Sequence, residues 1–386
     1  MSPRPWTILG VSTFAQAAAS VSMHGAPYLI PALHNRGLSL TNAAVLAAAP
    51  VTGVMLALVA WGWLADRLGE RVVLLSGLSL TALADVGAML AHSWVMLGIL
   101  WLIAGASAAA VPSASGRVVV GWFPPHRRGL AMGIRQMAQP AGLALASATL
   151  PVIAQTYGWR TALAVPTVAA FIALIAAAIW VIDPPRGEHT AHVAANPYRR
   201  SRYLLRIHGV SVLLVIPQFV IWTFTLVWLV EGRGWSAGAA GAVVAVANIL
   251  GAFGRAAAGQ LSDRVGSRLV PLRWIAVGAS LVMAVLGLVA GGPIWVAISV
   301  MFVASVLTVA DNGLAFTAVA ERAGPWWSGR ALGVQNTSQF LASAVVAPLG
   351  GLAITQLGFA WTFGLAAVPA LAAIALVPVR EEHPLA

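Results

Sequence analysis

The chain has no cysteine and no lysine, and only 9% of its 386 residues are charged. Without cysteine there is neither a disulfide framework nor a thiolate metal site. Without lysine, all side-chain positive charge is arginine. Soluble domains carry roughly 25% charged residues, so a water-soluble globule is excluded: too little polar surface remains to cover the apolar segments. No phosphate loop, dinucleotide fingerprint, zinc motif or nucleophile elbow stands in a usable context. Nothing therefore supports an enzyme, and no cofactor or metal is expected. A net charge of +11 raises the question of nucleic acid, which the placement of the arginines answers below.

What is present is hydrocarbon. Hydrophobic residues make up 60% of the chain, in successive apolar stretches of about 20 residues, each long enough to cross a bilayer. The pattern predicts an all-α membrane protein with twelve spans, near 8–33, 42–65, 72–92, 95–121, 129–154, 161–182, 205–230, 238–262, 270–291, 294–319, 330–355 and 360–379. The first stretch is too long for a signal-peptide core and lacks a cleavage site, so it is expected to stay as a span. The longest polar link divides the chain into an N-terminal six-helix bundle (1–182), a linker (183–204) and a C-terminal six-helix bundle (205–386). With the N-terminus in the cytoplasm, Arg4, Arg67, Arg71, Arg127, Arg128, Arg186, Arg199, Arg200, Arg202, Arg206, Arg264, Arg268, Arg273, Arg322, Arg330 and Arg380 fall on one side. Only Arg36, Arg160 and Arg233 fall on the other. This is the positive-inside distribution. It places the protein in the cytoplasmic (inner) membrane with both termini cytoplasmic, its partner the lipid bilayer and not nucleic acid. Trp94, Trp122, Trp159, Trp235, Trp326 and Trp327 lie at span ends, where interfacial indoles belong.

The halves repeat each other. Gly62-Trp-Leu-Ala-Asp66-Arg67-Leu-Gly69-Glu-Arg71 recurs as Gly259-Gln-Leu-Ser-Asp263-Arg264-Val-Gly266-Ser-Arg268, each after the second span of its half. Gly133-Ile-Arg135-Gln136-Met-Ala-Gln139 recurs as Gly333-Val-Gln335-Asn336-Thr-Ser-Gln339 in the fifth spans. Arg36-Gly37-Leu-Ser39 recurs as Arg233-Gly234-Trp-Ser236. Duplicated bundles are a transporter signature. The doubled Gly-x-Leu-Ala-Asp-Arg loop resembles the signature loop of the major facilitator superfamily, and Trp122-Phe-Pro-Pro125-His-Arg127-Arg128-Gly129 resembles its loop between spans 4 and 5. The resemblance implies twelve helices in two pseudo-symmetric bundles, with spans 1, 4, 7 and 10 lining a central cavity. Independently, a carboxylate at Asp66 beside Arg67 and Arg71 can pair with arginines and helix N-termini, as Asp263 can with Arg264 and Arg268. Such a cluster would latch one state and break in the other. Gly62 is expected to permit close helix approach and Gly69 to make the turn.

Ionisable residues inside spans are costly and are functional candidates by default. The cations are Arg117, Arg135 and Arg255; the anions are Asp85 and Asp311. The surplus of cations suits an anionic substrate. Arg255 sits eight residues before Asp263, about 12 Å inside the end of span 8. The run Gly254-Arg255-x-x-x-Gly259 resembles that of oxalate:formate antiporters and monocarboxylate transporters, and the resemblance implies that this arginine binds a substrate carboxylate; a guanidinium fork matches a carboxylate. The chain departs from those relatives in two places: their span-11 lysine is replaced by Gln335, Asn336 and Gln339, and an acid one turn before the arginine is replaced by Gly251. A structural Arg255 paired with Asp311 is the alternative. Arg135 and Gln139 share one face of span 5, matched by Gln335, Asn336 and Gln339 on span 11. These stripes either cage an anion or bond helix to helix. Tyr28, Gln218 and Trp222 complete the candidate pocket. Asp311, Asp85 and His24 are candidate proton-coupling groups, or fixed counter-ions and packing residues. Arg117 can snorkel to the interface.

The reading that follows is a monomeric secondary transporter. It would move a small, monocarboxylate-like organic anion by proton symport or anion exchange through alternating access. The alternatives are a drug/proton antiporter exporting lipophilic compounds and a transporter-like receptor without flux.

Overall fold

The structure, a computed structural model, describes residues 4–114, 122, 134–183, 196–199, 201–323 and 327–382. Arg117, Arg127, Arg128, Gly133, Arg186, Arg200 and Trp326, with the side chains of Arg4 and Asp66, lie outside the described residues.

The described chain is helical, because in lipid a helix satisfies every backbone group within itself. Ten stretches are long and apolar enough to cross a membrane. The last of them, Arg330–Glu381, contains two spans hinged at Gly358. The remaining span is the helix Arg4–His24, made more polar by Gln16, Ser20, Ser22 and His24. The architecture is thus twelve spans in two sets of six. Apolar side chains such as Leu83, Val95, Leu288 and Trp361 are exposed, as expected of helices whose outer faces meet hydrocarbon and not water.

By contact density the chain forms two compact units. One comprises Met1–Glu188 with Leu229–Val246, the other His189–Trp228 with Ala247–Ala386. Within each, the packing repeats. Span 1 (Arg4–His24) packs on span 5 (Ala138–Tyr157) and span 6 (Ala164–Trp180), and span 7 (Tyr203–Val227) packs on the helices of spans 11 and 12. Span 3 (Glu70–Met89) packs on span 6, as span 9 (Leu269–Val289) does on span 12. The turns repeat as well. Among the described residues every positive φ belongs to a glycine: Gly37, Gly69 and Gly158 in the first half, Gly234, Gly266 and Gly358 at the same links of the second.

Several spans depart from single straight rods, spans 1, 7 and 10 most clearly. Span 1 stops at His24, continues as a 3-10 turn Ala26–Leu29 and restarts as Ile30–His34, because Pro27 and Pro31 have no N–H to give the preceding turn. Span 7 ends in a π turn, Trp228–Gly232. Span 10 is two helices, Ile294–Leu307 and Asp311–Ala323, separated at 308–310. Span 11 starts at Ser328 and runs into span 12 through a bend at Gly358.

Candidate functional site

The break in span 10 organises a polar cluster inside the C-terminal unit. Asp311 opens the second helix and is 2% exposed. Its carboxyl group stands at the start of this helix, where the first backbone N–H groups have no partner within the helix. Its Oδ1, buried, has no hydrogen-bond partner. Asn312 donates to Gln218 Oε1 (2.8 Å) and accepts from Gln339 Nε2 (3.2 Å). One amide thus ties spans 7, 10 and 11 together at the break.

Arg255 reaches this cluster from span 8 (Ala237–Val265). The approach depends on glycine. A Cβ on Gly251 would stand 3.2 Å from Ser305 O, and one on Gly254 would stand 2.6 Å from Val306 Cγ1. Span 8 therefore lies directly against the first half of span 10, one turn before the arginine. The guanidinium lies over the Trp222 ring at 5.9 Å, a contact worth about 0.5–2 kcal/mol. It also feels the charge of Asp311. Yet it forms no ion pair and no hydrogen bond among the described residues, and its Nε is buried without a partner. A guanidinium carries five donors, and an ion taken out of water costs several kcal/mol unless something compensates it. Arg255 is half-buried and held by one ring and one distant carboxyl group.

A second network in the same unit uses the residue before the amide stripe's midpoint. Tyr198 OH donates to His208 Nε2 (2.9 Å), His208 Nδ1 donates to Gln335 Oε1 (2.7 Å), and Gln335 Nε2 donates to Ser211 Oγ (2.8 Å). Gln335 is fully enclosed, with both ends of its amide engaged. Expected as a substrate ligand, it instead braces span 11 against span 7, since a buried amide must bond somewhere. Asn336 is half-buried beside it.

In the N-terminal unit, Gln139 Nε2 donates to His24 Nε2 (3.1 Å), joining span 5 to the end of span 1. Arg135 donates to Pro112 O of span 4 at 3.3 Å. Tyr28 is buried in the 3-10 turn after the span-1 break. Asp85, 2% exposed, accepts from Ser22 Oγ (2.8 Å), and no cation pairs with it among the described residues.

The loops after the second spans are both built around an acid the sequence reading passed over. Gly69, at φ 93°, turns span 2 (Ala49–Leu68) into span 3. The N–H of Arg71 is capped by Asp183 Oδ1 (2.7 Å), just after span 6, while the Arg71 guanidinium donates to Ala178 O (2.7 Å). Arg67 stacks on Trp63 at 3.8 Å. In the second half Glu382, just after span 12, accepts from Arg268 N (2.5 Å), Leu269 N (3.1 Å) and Ser267 Oγ. Arg268 pairs with Asp263 at 2.5 Å and Glu321 at 3.5 Å; Arg264 is exposed. The expected close approach at Gly62 is not found: no described atom lies within 4 Å of where its Cβ would stand. The tight approaches fall one or two turns deeper, where the helices converge, as at Gly53 against Leu102 and Ala106. Asp183, Glu382, Asn312, Ser22 and His208 are the residues missed. His208 lies within a predicted span, and the rule applied to His24 would have found it.

The profile of the Major Facilitator Superfamily matches residues 10–347. The chain belongs to that superfamily. It is therefore a multi-pass membrane protein of a transporter family, not of an enzyme class. An uncharacterized MFS-type transporter of Mycobacterium tuberculosis is 44% identical over 379 residues, covering 97% of this chain and 85% of the relative. A probable sulfoacetate transporter of Cupriavidus necator is 26% identical over 365 residues, covering 82% of this chain and 81% of its own length. Among solved structures, a D-xylose-proton symporter superposes with a TM-score of 0.81 at 19% identity, covering 99% of this chain and 100% of that one. The last likeness fixes the fold, twelve helices in two bundles, and leaves the cargo open.

Proposed function

We propose that this major facilitator protein is a secondary transporter of a compact organic anion, with Arg255 as the anchor for its carboxylate. One observation carries the reading: a guanidinium of the C-terminal unit, its Nε buried, makes no hydrogen bond among the described residues, beside an amide cluster already knit together through Asn312. A planar anion supplies what that group lacks, two acceptors in fork geometry and one negative charge. The Trp222 ring lies 5.9 Å from the guanidinium, and Gln218, Asn312 and Gln339 meet at the break beside it. The likeness to a probable sulfoacetate transporter agrees in cargo sign, as does the resemblance of the Gly254-Arg255 run to monocarboxylate carriers.

The absence of a nucleotide-binding motif leaves a proton or anion gradient as the driving force. For proton symport the buried carboxyl groups are Asp311, beside the anchor, and Asp85, held by Ser22; His24, bonded to Gln139, is the titratable imidazole of the other unit. In alternating access, the two capped loops at Arg71 and Arg268 hold the ends of spans 3 and 9 while the bundles exchange positions.

Proteoliposomes loaded with the purified protein test the anchor. Uptake of labelled lactate, sulfoacetate and acetate is measured with an inward proton gradient and, separately, with internal anion. Arg255→Gln is expected to abolish uptake, and Arg255→Lys to cut it at least about tenfold, since an ammonium is a point charge without the fork. Wild-type transport by Arg255→Lys refutes the anchoring role. Uptake of ethidium instead of any acid refutes the anionic cargo and favours drug/proton antiport.

A further inference from the structure

The anion reading assigns Arg255 a partner but leaves other polar atoms of the same cluster unexplained. Asp311 opens the second helix of span 10, and its Oδ1 is buried with no hydrogen-bond partner among the described residues. Arg255 and Asp311 sense each other's charge without forming an ion pair, so the protein has not closed this gap with its own side chains. The amide triad also ends open on both sides. Gln218 spends its carbonyl on Asn312, and Gln339 spends its amino group on Asn312. The Gln218 amino group and the Gln339 carbonyl form no hydrogen bond among the described residues. A bare carboxylate such as acetate satisfies Arg255 and none of these.

We infer that the substrate is a hydroxylated acid, its carboxylate on Arg255 and a hydroxyl on a neighbouring carbon at Asp311 Oδ1, which makes Asp311 the specificity-determining residue. This rests on the anion reading and names its substrate class. A hydroxyl is both donor and acceptor. It can therefore donate to the Asp311 carboxylate while accepting from the Gln218 amino group, and a second hydroxyl can donate to the Gln339 carbonyl. The hydroxyl would supply the bond that buried Asp311 Oδ1 lacks, whereas a substrate without it would leave that acceptor unmet. That unmet acceptor is what a site uses to reject a deoxy analogue. An ammonium in the hydroxyl's place would also answer Asp311, and the experiment separates the two.

Propionate, lactate and alanine share one three-carbon skeleton and differ only in the group next to the carboxylate: hydrogen, hydroxyl or ammonium. Their binding to the purified full-length protein is read from ligand-induced thermal stabilisation and from competition with labelled lactate uptake in proteoliposomes. The expected result is half-saturation by lactate at a concentration at least about tenfold below that of propionate, the effect of one unmet buried acceptor, with alanine no better than propionate. In Asp311→Ala the ratio of propionate to lactate half-saturation, read from thermal stabilisation, is expected to shrink to within about twofold. A purely structural role for Asp311 would weaken both acids alike. Should Asp311→Ala not fold, Gln339→Leu provides the second arm: it is expected to lower binding of glycerate, which carries a second hydroxyl, more than that of lactate. Equal binding of lactate and propionate by the wild-type protein overturns the hydroxyl proposal and leaves the anion reading intact. Preference for alanine overturns it in favour of a zwitterion. Absence of binding by every acid overturns both.

Discussion

The placement of Arg255 depends on two glycines, and Gly254→Ala tests it with a single carbon atom. The new Cβ would stand 2.6 Å from Val306 Cγ1 and 3.3 Å from Val306 O. Carbon atoms prefer about 3.5–4.0 Å, so something must retreat by about 1 Å. Val306 cannot readily do so, because a β-branched side chain in a helix has one strongly preferred rotamer. The helices must part instead, at a cost of about 1–3 kcal/mol, the usual range for overpacking. The displacement acts on the residue next to Arg255 and on the helix that leads into Asp311, so binding suffers along with stability. Thermal unfolding of the purified protein and lactate competition measure the two effects. Removing the opposing methyl groups in Gly254→Ala/Val306→Ala is expected to recover most of both, with a coupling energy of about 1 kcal/mol or more in the double-mutant cycle. If the two substitutions prove additive, or if Gly254→Ala is silent, span 8 does not press on span 10 as described, and the argument for where the guanidinium lies fails with it.

By contrast, Gly62→Ala should be tolerated in stability and uptake, since no described atom would meet its Cβ; a loss as large as that of Gly254→Ala would contradict this. Gly358→Ala should cost about 1–2 kcal/mol in unfolding experiments, because φ is 84° where spans 11 and 12 meet and a Cβ is penalised in that region. Glu382→Ala should lower stability by about 0.5–2 kcal/mol, the range for a lost helix cap, and Asp183→Ala should do the same at the matching loop; no change in either would remove the capping role. His208→Leu should destabilise by about 1–3 kcal/mol by leaving the enclosed Gln335 carbonyl unmet, and adding Gln335→Leu should recover part of that loss if the pair is only a brace.

The spans were legible because the constraint on them is severe. A bilayer demands about 20 apolar residues per crossing, and no other property of the chain produces twelve such stretches. The repeat was legible for a related reason: Gly37, Gly69 and Gly158 return as Gly234, Gly266 and Gly358 because the same backbone turns are needed twice. The breaks were harder to see. Pro27 and Pro31 signal the interruption of span 1, but nothing as plain marks span 10, where the chain leaves the helix at 308–310 and restarts at Asp311. Polar residues in spans were easy to find and hard to sort. Gln335 and Gln339 lie one turn apart on the same helix, yet one is closed within a brace and the other reaches Asn312. Which of them meets a neighbour depends on crossing angles between helices far apart in sequence. The caps Asp183 and Glu382 were missed because each follows the last span of its half, a long way along the chain from the loop it closes.

The comparison of the halves bears on where the cargo is held. What recurs is scaffold: three turns and two capped helix starts; the aligned amides diverge, Gln139 reaching His24 of span 1 and Gln339 reaching Asn312 of span 10. What does not recur is the charge. Arg255 stands four residues before Gly259, and the residue four before Gly62 is Leu58, a buried aliphatic side chain. Likewise Asp85, on span 3, pairs with no cation among the described residues, whereas Asp311, on span 10, lies within the charge influence of Arg255. Among the described residues, the second copy brings Arg255 and Asp311 to the same broken helix without an ion pair between them. A membrane protein keeps such a costly pair in one half only if that half does something the other does not. If the proposed anion binds at Arg255, the C-terminal unit is where its charge is met, while Arg135 of the N-terminal unit donates to the Pro112 carbonyl.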